Sequence, residues 1–272
     1  MSFPATSRVR SAAADALWYP RLRVEGVDLL HCPTFRGPFA PKVPLVVTVH
    51  DLGVLREPSW FNRWTRAYSR FAVPRVVRAA ARLIAVSEFT KRELIELLGV
   101  EEGRIRVVPN AVADVFTPEG PRAEGEYVLA VGTLEPRKNL GRVAAAVDGE
   151  LRVVGARGWG GIEPPRDVTW LGEVSDDELA RLYRGARCLV YASLYEGFGL
   201  PVAEALACGC PVVTSAGSAM AEVGGDDAVY VDPEDVASIR SGIERAVTPT
   251  PRRVARWADV ARATQGVYEE LA

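Results

Sequence analysis

A parallel α/β fold, built as two doubly wound sheets in series, is what this sequence predicts, on three observations. Short apolar runs with little alternation recur along the chain, as strands buried on both faces require. Helical patterns separate most of them, so neighbouring strands run parallel and the crossovers cover the sheet. The 272 residues exceed one average domain and suit two modest ones.

The elements follow in order. In the first half the runs are VDLLHC (27–32), PLVVTVH (44–50), RLIAVS (82–87) and RIRVVPN (104–110). After the third, Ser87 suits a helix N-cap, FTKRELIELL is helically periodic, and Gly99 suits the left-handed residue that ends the helix. The second half offers YVLAVGT (127–133), LRVVGA (151–156), VTWLG (168–172), CLVYAS (188–193), PVVTS (211–215) and AVYVD (228–232). Ser175 and Glu178 have capping-box spacing at the start of a helix reaching about Gly185. Between the halves, DVFTPEGPRAEGEY (114–127) has the proline, glycine and charge of a connector. The expected division is therefore 1–118, 119–248 and 249–272. The last part holds a helix from about Pro251 to Leu271, packed back toward the first domain, with Trp257 and Tyr268 as anchors. A doubly wound domain opens with a strand, a Gly-rich turn and a helix. Residues 1–26 instead supply Arg/Ala-rich helical material, so the first domain is expected to be incomplete at its N-terminus.

Bulk properties narrow the function. Lys and Arg number 33 against 35 Asp and Glu, a net charge of −2 that asks for no polyanionic partner and counts against nucleic acid. Cys32, Cys188 and the Cys208-Gly-Cys210 pair lack zinc-site spacing and are expected as buried free thiols in a reducing compartment, with no metal. No segment has a signal-peptide core or approaches the roughly 20 apolar residues of a membrane span. The expectation is a cytoplasmic protein, with peripheral contact at the inner membrane face as its one possible membrane role.

In open parallel sheets, ligands bind beyond the carboxyl ends of strands, so the residues after each run carry the chemistry. SLYEGFGLP follows one run: Gly197 and Gly199 leave their amides uncovered, and Pro201 suits the first position of a helix whose N-terminus attracts anions. Glu196 and Glu204 flank this turn, placed to accept from hydroxyls at two ends of one elongated ligand; Glu204 complementing the helix dipole is the alternative. GTLEPRKNL (132–140) delivers Arg137 and Lys138 to a turn before a helix near Asn139, a diphosphate site or else a solvated basic turn. His50, followed by Asp51, ends a strand of the first half and is either a sugar contact or structural; His31, in the equivalent spot of the neighbouring run, is expected to be structural. Ser87 and Thr90 combine capping with a possible cleft contact. WFNRWTRAYSRF (60–71) spaces Trp60, Trp64, Tyr68 and Phe71 helically, with Arg63, Arg66 and Arg70 on another face. Packing of the aromatic face on the sheet is expected, with contact to anionic lipid as the second reading.

Together, Glu-Gly-Phe-Gly-Leu-Pro-x-x-Glu-Ala-x-Ala-x-Gly-x-Pro-Val-Val and the preceding Gly-x-Leu-Glu-Pro-Arg-Lys-Asn resemble the retaining nucleotide-sugar glycosyltransferases of family 4, the "group 1" transferases of GT-B fold. VTVHDLG, AVSEFTKREL and IRVVPNAV are similar to that family in the same order, so the likeness runs from about residue 25 to the end. The resemblance implies two Rossmann-like domains facing a cleft, and sugar transfer from a UDP-, GDP- or ADP-sugar with retention and without a bound metal or other cofactor. It implies that Arg137 and Lys138 hold the diphosphate beside Gly132 and Thr133, and that Glu204 accepts the ribose hydroxyls. Glu196 with Gly197, Phe198 and Gly199 would grip the sugar, and His50 would contact it from the opposite domain. Leu171, Val174 and Leu200 would line the ribose and base, and Ser87 and Asn110 would border the cleft. The acceptor would be a sugar, polysaccharide or lipid-linked carbohydrate. Two other readings stay open: a non-catalytic nucleotide-sugar-binding chain needing a partner or second copy to complete its first sheet, and an epimerase acting on the free nucleotide-sugar.

Overall fold

The computed structural model describes residues 18–158, 165, 167–249 and 255–271. The helical reading of residues 1–17 and the start of the last helix at 251–254 lie outside them. The chain divides into two compact units, one formed by residues up to Pro109 together with Ala261–Ala272, the other by Asn110–Val260.

In the first unit, β1 (Leu30–Cys32), β2 (Leu45–Val49), β3 (Arg82–Ala85) and β4 (Ile105–Val107) form one parallel sheet in that spatial order. Leu45, Val47, Val49 and Leu83 are completely buried, as the unbroken apolar runs require. Three helices accompany the sheet: α1 (Gly53–Arg56), α2 (Arg63–Ala79) and α3 (Glu88–Leu98). The Ser87 Oγ accepts from the Thr90 amide at 3.0 Å and Gly99 ends α3 at φ 62°. The Arg56 guanidinium ties α1 to α3 by donating to both Glu93 and Glu96.

The aromatic stripe of α2 does not face the sheet. Its buried face is Ser69, Ala72, Val73, Val76 and Val77, whereas Trp64 and Phe71 are 48% and 52% exposed. Helical geometry accounts for the difference: at about 100° per residue, Trp64 and Phe71 fall roughly 180° and 160° around the axis from Val73. The valines that lie past residue 71 set the contact face; Trp64 and Phe71 are left outside and Tyr68 is half-buried.

In the second unit, β5 (Tyr127–Val131), β6 (Glu150–Val154), β7 (Thr169–Gly172), β8 (Cys188–Tyr191), β9 (Val212–Ser215) and β10 (Ala228–Val231) form a parallel sheet in the order β10-β9-β8-β5-β6-β7. The helices are α4 (Leu140–Ala146), α5 (Asp176–Gly185), α6 (Leu200–Ala207), α7 (Met220–Gly224), α8 (Val236–Arg245) and, beginning here and ending in the first unit, α9 (Trp257–Glu269). The chain winds outward from β5 through β7, then returns to pair β8 on the other side of β5. That reversal is the switch point at which an open α/β sheet leaves a crevice beyond its carboxyl edge.

Three local expectations are corrected. Ser175 caps α5, its hydroxyl accepting from the Glu178 amide at 3.2 Å, but the Glu178 carboxylate takes the Arg181 guanidinium at 2.9 Å instead of closing the box. The segment 114–127 is no loose connector: Phe116 and Ala123 are buried, and Arg184 donates to the Pro121 and Thr117 carbonyls at 2.8 and 3.1 Å. Its polar composition hid these backbone ties. In α9, Trp257 is 53% exposed, so the expected pair of anchors is not matched, while Tyr268 reaches His31 at 2.6 Å and Val267 is buried. All four cysteines are buried free thiols. No helix among the described residues is long and apolar enough to cross a membrane.

Candidate functional site

The loops after β5 and β8, the two strands that meet at the switch point, build one polar cluster. After β5 the chain passes Gly132 at φ 154° and enters a 3-10 turn, Pro136–Lys138. Asn139 follows in the left-handed region at φ 57°, a conformation asparagine tolerates better than most side chains. Its buried amide nitrogen donates to the carbonyls of Ala192 at 3.0 Å and Pro233 at 2.6 Å, which fixes the turn against the exits of β8 and β10. Close backbone contact supports the other side: a Cβ on Gly155 would lie 2.2 Å from the Gly132 carbonyl oxygen.

This frame aims Arg137 and Lys138 at Glu196, on the loop after β8. Arg137 donates from Nη1 to Glu196 Oε2 at 2.7 Å, and its Nε pairs with Glu135 Oε1 at 2.9 Å. Lys138 Nζ donates to Glu196 Oε1 at 2.7 Å and to the Tyr191 hydroxyl at 2.6 Å. The Ser193 hydroxyl, 2.7 Å from Glu196 Oε1, completes the set. Burial opposes ionisation of Glu196, but the charges of Lys138 and Arg137 and the hydrogen bonds from Lys138 and Ser193 outweigh it, so its carboxyl titrates below the ordinary value. Burial, reinforced by the Glu196 charge, drives the Tyr191 phenol well above its usual range, so it stays neutral. Two cations are thus held side by side on one buried carboxylate. Of the three ammonium protons of Lys138, two are committed.

Behind Glu196 the loop reaches Gly199, at φ 95°, which opens α6; a Cβ there would meet Met220 Cγ at 3.0 Å. The helix starts at Leu200, so Pro201 is its second residue and not its first. Glu204 is then the fifth helical residue, beyond the first turn, which removes its reading as a complement to the helix dipole. Its Oε2 accepts from the buried Tyr183 hydroxyl of α5 at 2.9 Å. Burial pushes its carboxyl up to about 7, against the Tyr183 hydrogen bond and with the help of Asp176. Phe198 and Val174 are half-buried against the core, Thr133 is half-buried, and Leu171 is exposed on β7. Glu135, Asn139, Tyr183, Tyr191 and Ser193 belong to this geometry although sequence reasoning gave them no site role. Glu135 and Ser193 adjoin the motif residues, but Tyr191 and Tyr183 lie within a strand and a helix and carry no pattern of their own.

Of the remaining candidates, His50 and Ser87 leave neighbouring strands, since the register sets Val49 of β2 beside Ala85 of β3. His50 is exposed and its Nε2 donates to the Pro33 carbonyl at 3.0 Å, while Asp51 accepts from the Gly53 amide at 3.0 Å. His31 is not its equivalent: the register pairs His31 with Val46, and both its ring nitrogens are engaged, by Tyr268 and by Thr48 at 2.8 Å. Burial lowers its pKa. Ser87 is buried and spent on its cap, with Thr90 Oγ1 at 3.1 Å. Asn110 is half-buried at the start of the second unit. Among the described residues no group of three or more His, Cys, Asp and Glu is placed to hold a metal ion.

Two parallel sheets, the second wound about a switch point occupied by this cluster, are the architecture of GT-B glycosyltransferases. Residues 2–116 match the model of Glycosyltransferase Family 4, and residues 162–263 that of Glycosyl transferases group 1. The O-antigen chain mannosyltransferase B of Escherichia coli is 30% identical over 276 residues, covering 89% of this chain and 71% of its own length. The O-antigen chain mannosyltransferase RfbU of Salmonella typhimurium is 31% identical over 231 residues, covering 78% of this chain and 63% of its own length. Among solved structures, a sucrose-phosphate synthase from Thermosynechococcus elongatus superposes with a TM-score of 0.72 at 21% identity, over 90% of this chain and 74% of that one. Anabaena Alr3699/HepE in complex with UDP-glucose gives 0.66 at 20% identity, over 85% and 72%. The chain belongs to glycosyltransferase family 4.

Proposed function

We propose that this protein transfers a sugar from a nucleoside-diphosphate sugar to a carbohydrate or lipid-linked acceptor, with retention of anomeric configuration and without a catalytic metal. The observation that carries the reading is the pairing of Arg137 and Lys138 on Glu196 at the switch point of the second sheet. Departure of a nucleoside diphosphate builds negative charge on its phosphates, and preorganised cations beside a helix N-terminus stabilise charge where it develops. Lys138, with one ammonium proton uncommitted, and Arg137 bind the diphosphate in this reading. Gly132 and Gly199 let it approach the backbone. Glu196 sets the two cations in place and takes a hydroxyl of the donor sugar with its remaining lone pairs; Glu204, nearer the ribose, accepts its hydroxyls. Leu171, Val174 and Leu200 line the base, and His50 contacts the sugar from the first unit. The solved relative that holds UDP-glucose supports a nucleotide-sugar donor, and the names of the O-antigen relatives make mannose the first sugar to try.

The test is a panel of UDP-, GDP- and ADP-sugars. A ligand that binds only the native state raises its stability, by about 2.7 kcal/mol at a hundredfold excess over Kd, so thermal shift selects the base and release of the nucleoside diphosphate then reports turnover. Lys138→Ala is expected to lower turnover at least tenfold, since a charge-assisted hydrogen bond contributes about 1.5–3 kcal/mol. Unchanged kinetics would remove Lys138 from the site. Selective binding with no transfer to any acceptor would favour the non-catalytic binding chain.

A further inference from the structure

The first unit carries a cavity on α2, part apolar and part cationic, that the donor chemistry does not use. It has a volume of about 560 Å³ and lies between α1 and the first two turns of α2, where Val54, Leu55 and Pro58 face Arg63, Arg66 and Arg70. No acidic residue lines it. Among the described residues none of the three guanidinium groups has a hydrogen bond or ion pair, whereas Arg56 of the neighbouring α1 is neutralised by Glu93 and Glu96. The whole of α2, RWTRAYSRFAVPRVVRA, holds five arginines and no carboxylate, in a chain whose net charge is −2. Helical geometry sharpens the point. At about 100° per residue, Arg66, Arg70 and Arg63 fall within roughly 20°, 60° and 80° of Val73, on the same side of the axis as the valines that cover the sheet. The valine side of α2 is therefore apolar in its second half, whereas in its first half three exposed arginines flank the buried Ser69 and border the cavity.

We propose that this cavity binds a phosphate group, with Arg63, Arg66 and Arg70 as its donors. Guanidinium forks that line one cavity without a carboxylate match phosphate oxygens in charge and in donor pattern, and the apolar wall of Val54, Leu55 and Pro58 excludes water from one side. Its neighbour extends the reading. A cavity of about 310 Å³, lined in part by Phe35, Phe61 and Trp64, shares Val54 and α2 with it and includes Thr34 and Asp51, each the second residue beyond β1 and β2. The phosphate pocket thus adjoins an aromatic recess at the carboxyl edge of the first sheet, where a ring or other apolar body attached to the phosphate would sit. The phosphate site stands on the first unit alone; that the phosphate is the acceptor's rests on the transferase reading, and the binding experiment tests the first without the second.

Calorimetric titration with glycerol 3-phosphate and glucose 1-phosphate, and co-sedimentation with phosphatidylglycerol-containing against phosphatidylcholine-only vesicles, separate a soluble phosphate ester from a lipid headgroup. The wild type is expected to bind at least one of these probes. Arg63→Ser/Arg66→Ser/Arg70→Ser is expected to weaken that binding at least thirtyfold, about tenfold for each 1.4 kcal/mol of lost interaction, at an unchanged melting temperature. The triple Arg→Lys variant is expected to recover part of the loss, and Lys138→Ala to bind as the wild type does. Soluble-ester binding identifies a free phosphorylated compound; binding confined to the anionic vesicles identifies a headgroup. Absence of binding to every probe, or a loss caused by Lys138→Ala and not by the triple serine variant, would overturn the proposal.

Discussion

At the scale of single residues, Glu196 and Glu204 show how one turn sets two carboxylates to opposite protonation behaviour. Glu196 is buried but held by two cations, so it stays ionised; Glu204 is buried with a phenol as its partner, so its carboxyl rises to about 7. Removing one member of a buried charge cluster leaves the others uncompensated and costs about 3–5 kcal/mol. Glu196→Ala is therefore expected to lower the unfolding free energy by an amount of that order, read as a fall in the denaturant midpoint, and an unchanged midpoint would mean that Arg137 and Lys138 are adequately solvated without it. For Glu204 the folded state favours the protonated form. The stability this confers is present in full below its ordinary value of 4.5 and is lost as pH rises through about 7. Glu204→Gln is thus expected to gain stability relative to the wild type at about pH 8 and to lose that advantage at about pH 5. Nucleotide binding should move the other way: ribose hydroxyls donate to the carboxylate, so wild-type affinity rises with pH through about 7 and the glutamine variant's does not. A pH-independent difference between the two would remove Glu204 from the nucleotide site.

At the scale of elements, the strands and their punctuation were legible because local rules and tertiary structure agree. Ten apolar runs became ten strands among the described residues, Ser87 and Gly99 bracket α3 as their chemistry dictates, and the glycines of the EGFGLP turn sit where α6 opens. Legibility failed where the deciding information is not local. Tyr191 looks like any strand residue, and only the pairing of β5 with β8 brings its hydroxyl to Lys138. The aromatic stripe of α2 is helically spaced, yet spacing cannot say which of two faces a sheet will cover, and valines further along decided it. The β5 loop offers a sharp test of the frame. Gly155→Ala would drive a Cβ into the Gly132 carbonyl at 2.2 Å, with its own backbone at φ 147°. A loss of more than about 2 kcal/mol is expected, together with reduced turnover, because the Gly132 that yields carries the turn of Arg137 and Lys138. Wild-type stability in that variant would show that the contact is slack.

At the scale of the molecule, the first unit is completed by chain that is distant in sequence. It takes its final residues from the C-terminal end, where Tyr268 hydrogen-bonds His31, Glu270 accepts from both Arg82 and Arg106, and Val267 is buried. Tyr268→Phe leaves a half-buried imidazole nitrogen without its partner and is expected to cost about 1 kcal/mol, read as a fall in melting temperature; no change would make the contact incidental. The switch-point cluster belongs wholly to the second unit, so donor binding is expected to tolerate this substitution. The most direct test of the account is release of nucleoside diphosphate from the sugar nucleotide that the thermal-shift panel selects, measured for the wild type and for Lys138→Ala. The account predicts measurable release by the wild type and at least a tenfold loss in the variant. No release from any donor with any acceptor, or equal rates in the two proteins, would contradict it.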